Sequence, residues 1–181
     1  MLKRAAPVLA LISLVISFVA PGIARAHGPT RQKVVETIEI NASPDKVWTV
    51  IGNFQDMGWH PAFAKTEGSG DNAPDATRKL TLASGATIEE KLTKYSADSK
   101  SYSYEITNVD VKVVPVTNYA STISVSGEGD KSKVEWKGAF YRGYVNNDPP
   151  PELSDEAAVK AITGVYKDGL AALKKKLEGG S

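Results

Sequence analysis

The sequence contains no cysteine in its 181 residues. No disulfide can therefore brace the fold, and thiol catalysis and thiolate metal sites are excluded. Histidine is also scarce, with 2 residues, and neither sign of charge is in large excess, since the formal net charge is +1. A nearly neutral chain argues against a nucleic-acid partner, because proteins that bind nucleic acids need a basic surface.

One long apolar run is present, near the amino terminus. Lys3 and Arg4 precede the apolar stretch 5–20, and the small-residue pattern Ala24-Arg25-Ala26 follows it. This three-part pattern is typical of a secretory signal peptide. The run is shorter than the roughly 20 apolar residues that a membrane-spanning helix needs, so we expect no stable membrane anchor. The sequence therefore predicts a signal peptide over residues 1–26, cleaved after Ala26.

Removal of the signal peptide takes away three positive charges, which turns the formal net charge from +1 to −2. Residues 27–181 remain, a length typical of one domain with a hydrophobic core of its own. We therefore predict a single domain over 27–181, exported and stabilised by packing alone.

Strand-forming residues separated by turn clusters fill the middle of the sequence. Residues 33–41 predict a first strand. Ser43-Pro44-Asp45 then predicts a helix start, and a short second helix is expected to lead into residues 57–61. Further strands are predicted over 77–83, 87–95, 101–109, 117–126 and 132–142. The short turns between them indicate an antiparallel meander.

Ser154 is predicted to cap a long carboxy-terminal helix. Apolar residues follow it at steps of three and four, which marks one buried stripe. The preceding Pro149-Pro150-Pro151 is interpreted as a spacer that orients the helix, although such extended segments can also be bound by partners. The expected fold class is α+β, a helix-grip fold in which a curved antiparallel sheet wraps around the long helix. Such a sheet leaves a cavity against the helix.

Several short motifs occur in the order expected of one family. They are Ile38-x-Ile40-x-Ala42-x-Pro44-x-x-Val47-Trp48, Trp59-x-Pro61, Gly85-x-x-Ile88-x-Glu90-x-Leu92 and Val134-x-Trp136. Together with the final helix they resemble the SRPBCC, or START-like, family of polyketide cyclase/dehydrase-type proteins over roughly residues 33–178. The resemblance implies a helix-grip fold with an internal hydrophobic pocket. Members of the family bind lipids, hormones or aromatic ketides, and a minority are enzymes.

A narrower resemblance comes from an exported, cysteine-free chain whose expected mature start reads His27-Gly28-Pro29-Thr30. It is similar to the MxaD-type family of bacterial methanol oxidation. That resemblance implies the periplasm and a role in helping methanol dehydrogenase pass electrons to its c-type cytochrome. Because the sequence offers no cysteine, haem motif or metal cluster and no clear catalytic residues, we expect no cofactor and no enzymatic activity. The alternative function is a carrier that binds a hydrophobic small molecule or lipid in the helix-grip cavity.

Candidate pocket residues are mostly aromatic side chains on the predicted inner face of the sheet. The alternative is that they fill the core, as aromatic residues commonly do. The tyrosines are the better pocket candidates, because each buried hydroxyl needs a hydrogen-bond partner that a ligand or water can supply. The full set of candidates is Trp59, Phe63, Glu90, Tyr102, Tyr104, Tyr119, Trp136 and Phe140.

Two carboxylates lie in phase with inward-facing aliphatic residues, Glu36 with Ile38 and Glu90 with Ile88. An unpaired inward carboxylate would have a raised pKa and could act as a general acid. The favoured interpretation is that each is paired or lies at a rim, because buried unpaired carboxylates are rare. No catalytic residue is assigned.

Both histidines are candidate copper ligands. After cleavage, His27 would offer its α-amino group and its imidazole, and His60 a third nitrogen, a set that suits Cu(II). The favoured alternative is a terminus without fixed structure and a loop histidine, because two distant histidines rarely form a site without further ligands. The sequence therefore predicts no metal site.

Overall fold

Seven antiparallel strands form one sheet in the computed structural model, which describes residues 28–179. Strands β2 to β7 pair in sequence order, and β1 joins β7, so that β1 and β2 are the two edges. The long helix α2 lies against β1 and β7. The strands are β1 Gln32–Ile40, β2 Phe63–Ser69, β3 Thr77–Leu82, β4 Thr87–Ser96, β5 Ser101–Val109, β6 Val116–Glu128 and β7 Lys131–Arg142; the helices are α1 Pro44–Ile51 and α2 Asp155–Glu178. This is the predicted helix-grip arrangement.

The two faces of the sheet differ because side chains alternate along each strand. On β7, Val134, Trp136 and Phe140 point inward and are almost fully buried, whereas Lys133 and Lys137 point outward. The same alternation on β6 buries Tyr119, Ser121, Ile123 and Val125. The inner face therefore forms the floor of one core, and α2 covers it.

Both helices begin where the sequence predicts. The Ser43 hydroxyl accepts a hydrogen bond from the Lys46 amide, with Pro44 in the first turn of α1. The Ser154 hydroxyl accepts one from the Ala157 amide at the start of α2. The buried stripe of α2 consists of Ala158, Ile162, Tyr166, Gly169, Leu170 and Leu173.

The predicted second short helix is wrong, because turns occupy the chain between α1 and β2. Two side chains produce these turns. Asn53 Oδ1 accepts a hydrogen bond from the Gln55 amide, and Asp56 Oδ1 accepts one from the Gly58 amide. Such local side-chain to backbone bonds offer the chain an alternative to helix.

Strand β2 was not among the predicted strands. Its sequence, FAKTEGS, lacks apolar alternation, and most of its residues are exposed. It pairs with β3 along one sheet edge through backbone hydrogen bonds, with a bulge between Phe63 and Lys65. A polar edge strand carries little signal in its side chains, which explains the omission.

The predicted signal peptide, residues 1–26, lies outside the described residues. Between residues 28 and 179, no helix is both long and apolar enough to span a membrane.

Candidate functional site

A small cavity lies between the inner face of the sheet and α2. Its volume is about 50 Å³, which is room for one or two water molecules at about 30 Å³ each. Aliphatic side chains from β3, β4, β5 and α2 form most of its wall. The polar part of the lining consists of Arg78, Glu90, Tyr104, Tyr119 and Trp136. The interior is therefore largely filled by the protein's own side chains.

Arg78 and Glu90 form a buried ion pair at this cavity. They are cross-strand neighbours on β3 and β4, and only 2% and 5% of their surfaces are exposed. Arg78 Nε donates to Glu90 Oε2 over 2.6 Å, and Arg78 Nη1 donates to the Phe54 carbonyl over 2.8 Å. The guanidinium also lies 4.2 Å from the ring centroid of Phe54. Glu90 therefore faces inward and is paired, which agrees with the sequence-based interpretation that such a carboxylate is paired or lies at a rim.

The electrostatics of the pair follow from burial and proximity. Burial lowers the pKa of Arg78, but the carboxylate of Glu90, Tyr102 and Tyr104 together outweigh burial, so the pKa of Arg78 is raised and the guanidinium keeps its charge. Burial raises the pKa of Glu90, and Arg78 offsets part of that rise. The neighbouring charge therefore opposes protonation of this carboxyl, so Glu90 holds a proton less often than an unpaired buried carboxyl would and is less available as a general acid.

Arg78 is the residue that sequence reasoning missed. The signal was present, because Arg78 lies in phase with Leu80 on β3 just as Glu90 lies in phase with Ile88 on β4. Two charges of opposite sign, each in phase with the inward-facing residues of adjacent predicted strands, would have indicated the pair.

A chain of hydroxyl groups continues from the cavity towards α2. Tyr119 and Tyr166 Oη atoms lie 2.6 Å apart, and the Tyr166 Oη lies 2.8 Å from Ser121 Oγ. Ser121 donates to the Lys137 carbonyl over 2.9 Å, so it accepts from Tyr166. The indole N–H of Trp136 lies within 3.0 Å of Ser121 Oγ and 3.1 Å of Tyr104 Oη. These buried polar groups satisfy one another without a ligand.

None of these tyrosines is placed to act as a base near neutral pH. Burial raises the pKa of Tyr102 and of Tyr166, and it raises the pKa values of Tyr104 and Tyr119 well above the ordinary value. Each hydroxyl therefore keeps its proton and works as a hydrogen-bonding group.

The candidate pocket residues divide into two groups. Phe63, Glu90, Tyr104, Tyr119 and Trp136 line the cavity. Trp59, Tyr102 and Phe140 are buried in the core beside it and do not line it. Trp59, a predicted pocket residue, packs instead against Trp136, with ring centroids 5.7 Å apart. Its indole N–H is buried without a hydrogen-bond partner.

His60 is buried with both ring nitrogens in use. Nε2 donates to the Val165 carbonyl over 2.9 Å, and Nδ1 accepts from the Ala62 amide over 3.1 Å, which assigns the neutral Nε2–H tautomer. Burial lowers the pKa of this imidazole. His60 therefore has no free nitrogen for copper, and His27 lies outside the described residues. No group of three or more His, Cys, Asp or Glu residues within 28–179 could hold a metal ion.

Glu36 lies at the rim between β1 and α2. Its side chain is 23% exposed, and Oε1 is 3.9 Å from Lys167 Nζ. This placement agrees with the favoured rim interpretation. Glu36 is not part of the cavity.

The chain is similar in sequence and fold to known proteins. The family described as polyketide cyclase / dehydrase and lipid transport matches residues 31–178. No curated protein matches the sequence significantly. Among solved structures, the protein XoxI from Bacillus cereus is 35% identical with a TM-score of 0.68, and the match covers 81% of this chain and 95% of XoxI.

Two further structures show how widely the fold is shared. An uncharacterised protein from Bacillus thuringiensis is 32% identical with a TM-score of 0.68, over 81% of this chain and 99% of its own. Norcoclaurine synthase from Thalictrum flavum, in complex with dopamine and hydroxybenzaldehyde, is 20% identical with a TM-score of 0.62, over 93% and 99%. At that identity the synthase shows a common fold and nothing about activity.

Proposed function

The chain belongs to the polyketide cyclase/dehydrase and lipid transport family, and from that premise we propose that it works through its surface and not through its interior. We infer that it is an exported, periplasmic accessory protein of methanol oxidation. It promotes contact and electron transfer between methanol dehydrogenase and its c-type cytochrome, and it is not itself an enzyme. The resemblance to the SRPBCC, or START-like, family is confirmed by the family match over residues 31–178.

The observation that carries this proposal is the filled interior. A cavity of about 50 Å³ is far below the roughly 300–1,000 Å³ typical of small-molecule sites. The hydroxyl and indole groups around it already bind one another, and the guanidinium already binds the Glu90 carboxylate. Because side chains already fill the interior, the outer surface is the part of the molecule that can bind partner proteins.

The choice of partners is supported by resemblance. The expected mature start His27-Gly28-Pro29-Thr30, the absence of cysteine and the predicted signal peptide resemble the MxaD-type family of methanol oxidation. The chain is also 35% identical with the protein XoxI. The MxaD-type resemblance supports an accessory protein that acts by contact, because a protein that brings two partners together needs no redox group of its own.

A kinetic measurement tests the proposal. The processed protein is added to purified methanol dehydrogenase and its cytochrome, and cytochrome reduction is followed at low and at physiological ionic strength. We expect a faster rate that saturates with added protein. An unchanged rate at every ratio would exclude the accessory role for this pair, and heat-unfolded protein at the same concentrations serves as the control.

A second candidate is the small-molecule or lipid carrier. The feature that favours it is a cavity with aliphatic walls and polar groups at one end, namely Glu90, Tyr104 and Tyr119. A carrier would have to widen this cavity severalfold on loading. Native mass spectrometry of gently purified protein distinguishes the two functions, since a carrier retains a bound molecule and the accessory protein has the mass of its chain alone.

A further inference from the structure

We propose that Val145 is a preorganised docking residue for a protein surface that carries an apolar socket within a basic rim. This inference rests on the proposed function and adds the contact surface to it. It follows from the juxtaposition of an exposed valine, a buried arginine that fixes the backbone on both sides of it, and a run of carboxylates.

Val145 exposes an apolar side chain without covering anything. It is 58% exposed, and the exposed large hydrophobic residues of the described part of the chain are Val35, Val113 and Val145. Single exposed valines are common on proteins and need no explanation. What distinguishes Val145 is how its backbone is held.

Arg142 clamps the loop that carries Val145. The arginine is only 5% exposed. Its Nε donates to the Tyr144 carbonyl and its Nη2 to the Asn146 carbonyl, each over 2.8 Å. The carbonyl groups before and after Val145 are therefore tied to the same guanidinium. Nη1 binds Asp155 Oδ2 over 3.0 Å, which fixes the clamp to the start of α2.

The base of the loop is also closely packed. A Cβ on Gly143 would lie 3.1 Å from the Pro115 backbone, 3.1 Å from Val111 and 3.2 Å from Leu153. The loop therefore rests on the β5–β6 connection, which itself exposes Val113. Because a rigid loop loses little conformational entropy on binding, an exposed valine here contributes more to affinity than one on a mobile loop.

The charge around Val145 selects the partner. Residues 143–159 contain Asp148, Glu152, Asp155 and Glu156 and no Lys, Arg or His. Asp155 is paired with Arg142, whereas the other three carboxylates are exposed. These carboxylates form an acidic rim along the segment that carries Val145, which complements a basic rim beside an apolar socket and repels acidic surfaces.

Matched substitutions test the assignment. Val145→Ser removes the apolar contact from a residue that is 58% exposed, and Val35→Ser makes the same change at a residue that is 55% exposed on the outer face of β1. Glu152→Lys tests the acidic rim. Each variant is compared with the parent protein for binding to immobilised methanol dehydrogenase and cytochrome, and for the concentration that half-saturates cytochrome reduction.

We expect Val145→Ser to raise the dissociation constant and the half-saturating concentration about tenfold, the effect of losing one buried aliphatic contact. Glu152→Lys should slow association, most strongly at low salt. Val35→Ser should leave both quantities unchanged, and all variants should keep the parent's melting temperature.

The outcomes separate this inference from the function on which it rests. If the parent protein accelerates reduction and Val145→Ser does so equally well, Val145 is not the contact and the accessory role stands. If Val35→Ser alone loses binding, the contact lies on the outer sheet face and the inference is overturned. Binding that is weakened by Val145→Ser but does not accelerate reduction supports the docking residue and removes the accessory role. If the parent binds neither protein, both proposals fail for this pair.

Discussion

Arg78 and Glu90 place two opposite charges inside the core. The removal of each charge from water is unfavourable. Their close contact, the bond to the Phe54 carbonyl and the contact of the guanidinium with the Phe54 ring compensate for it. The stability of the fold therefore depends on both members being present together. Replacement of both residues by apolar side chains of similar volume should affect stability much less than loss of one partner, because an apolar pair has no charge to remove from water.

We predict that Glu90→Gln lowers the free energy of unfolding by about 3 kcal/mol, because it leaves a buried guanidinium without its counterion. Arg78→Met/Glu90→Leu should be destabilised far less than the single variant. Urea denaturation followed by tryptophan fluorescence measures both. Equal losses in the single and the double variant would show that the two charges are not coupled.

His60 makes the stability dependent on pH. Burial lowers the pKa of its imidazole in the folded protein below the ordinary 6.5. Between that lowered value and 6.5 the unfolded chain takes up a proton that the folded chain does not, so stability falls as the pH drops through this range. Above pH 6.5 the His60 imidazole is neutral in both the folded and the unfolded chain, so it adds no pH dependence to the stability. The opposing groups, the Val165 carbonyl and Asp168, only reduce the shift.

The corresponding prediction compares the parent protein with His60→Gln. The unfolding free energy of the parent should be lower at about pH 5.5 than at about pH 7.5, and His60→Gln should lose part of that difference, because glutamine does not titrate. Urea midpoints at the two pH values measure it. An identical pH dependence in both proteins would assign the acid sensitivity to other groups.

At the level of residues, the sequence predicted which side chains face the core better than it predicted which residues those side chains contact. The alternation of side chains correctly placed Glu90, Tyr104 and Trp136 on the inner face. It could not show that Trp59 packs against Trp136, because that contact joins a turn to a strand far along the chain. Phase along one strand is a local property, whereas contacts between elements depend on how the sheet curves.

The docking of α2 on β7 depends on a glycine. Trp136 and Tyr166 stack with ring centroids 4.4 Å apart, and the Tyr166 hydroxyl lies over Gly138. A Cβ on Gly138 would be 2.3 Å from that hydroxyl oxygen, which is closer than real contacts allow. Glycine at this position is therefore what lets Tyr166 reach Ser121 and Tyr119.

We predict that Gly138→Ala lowers the free energy of unfolding by about 1–3 kcal/mol, because the helix must shift to make room. In Gly138→Ala/Tyr166→Phe the loss should be smaller than the sum of the two single losses, since the clash with the hydroxyl is gone. Gly164→Ala is the matched control. A Cβ there meets nothing within 4 Å, and alanine should stabilise the helix by about 0.5–1 kcal/mol. If the losses of Gly138→Ala and Tyr166→Phe simply added in the double variant, the strain would not come from the contact between residue 138 and the Tyr166 hydroxyl.

At the level of elements, strands with apolar alternation and helices with polar caps were predicted correctly. The errors fall where backbone or local side-chain bonds decide the structure. Strand β2 is held by pairing with β3 at an edge, and residues such as Thr66 and Glu67 give no periodic signal. The turns after α1 follow from Asn53 and Asp56, whose short side chains bind nearby amides instead of continuing a helix.

For the whole molecule, the fold class could be predicted, but the volume of the cavity could not. The fold class follows from the order of strands and helices, which the sequence displays. The volume depends on how side chains from several strands and α2 interlock, and a change of one aromatic rotamer would alter it by more than the observed 50 Å³ or so. The small volume is the observation on which the proposed accessory function rests.

Export is the last property of the whole molecule that can be tested directly. We predict that the chain produced with residues 1–26 in a Gram-negative host is recovered from the periplasm as a protein that begins at His27, because the three-part pattern ends at Ala26. Osmotic-shock fractionation and intact mass spectrometry give the location and the first residue.

Ala26→Arg should block cleavage and leave the longer chain bound to membranes, since signal peptidase needs a small residue there. The folded part should be unchanged by cleavage, because β1 begins only at Gln32. Recovery of the uncleaved chain from the cytoplasm would contradict the prediction and would separate the protein from partners in the periplasm.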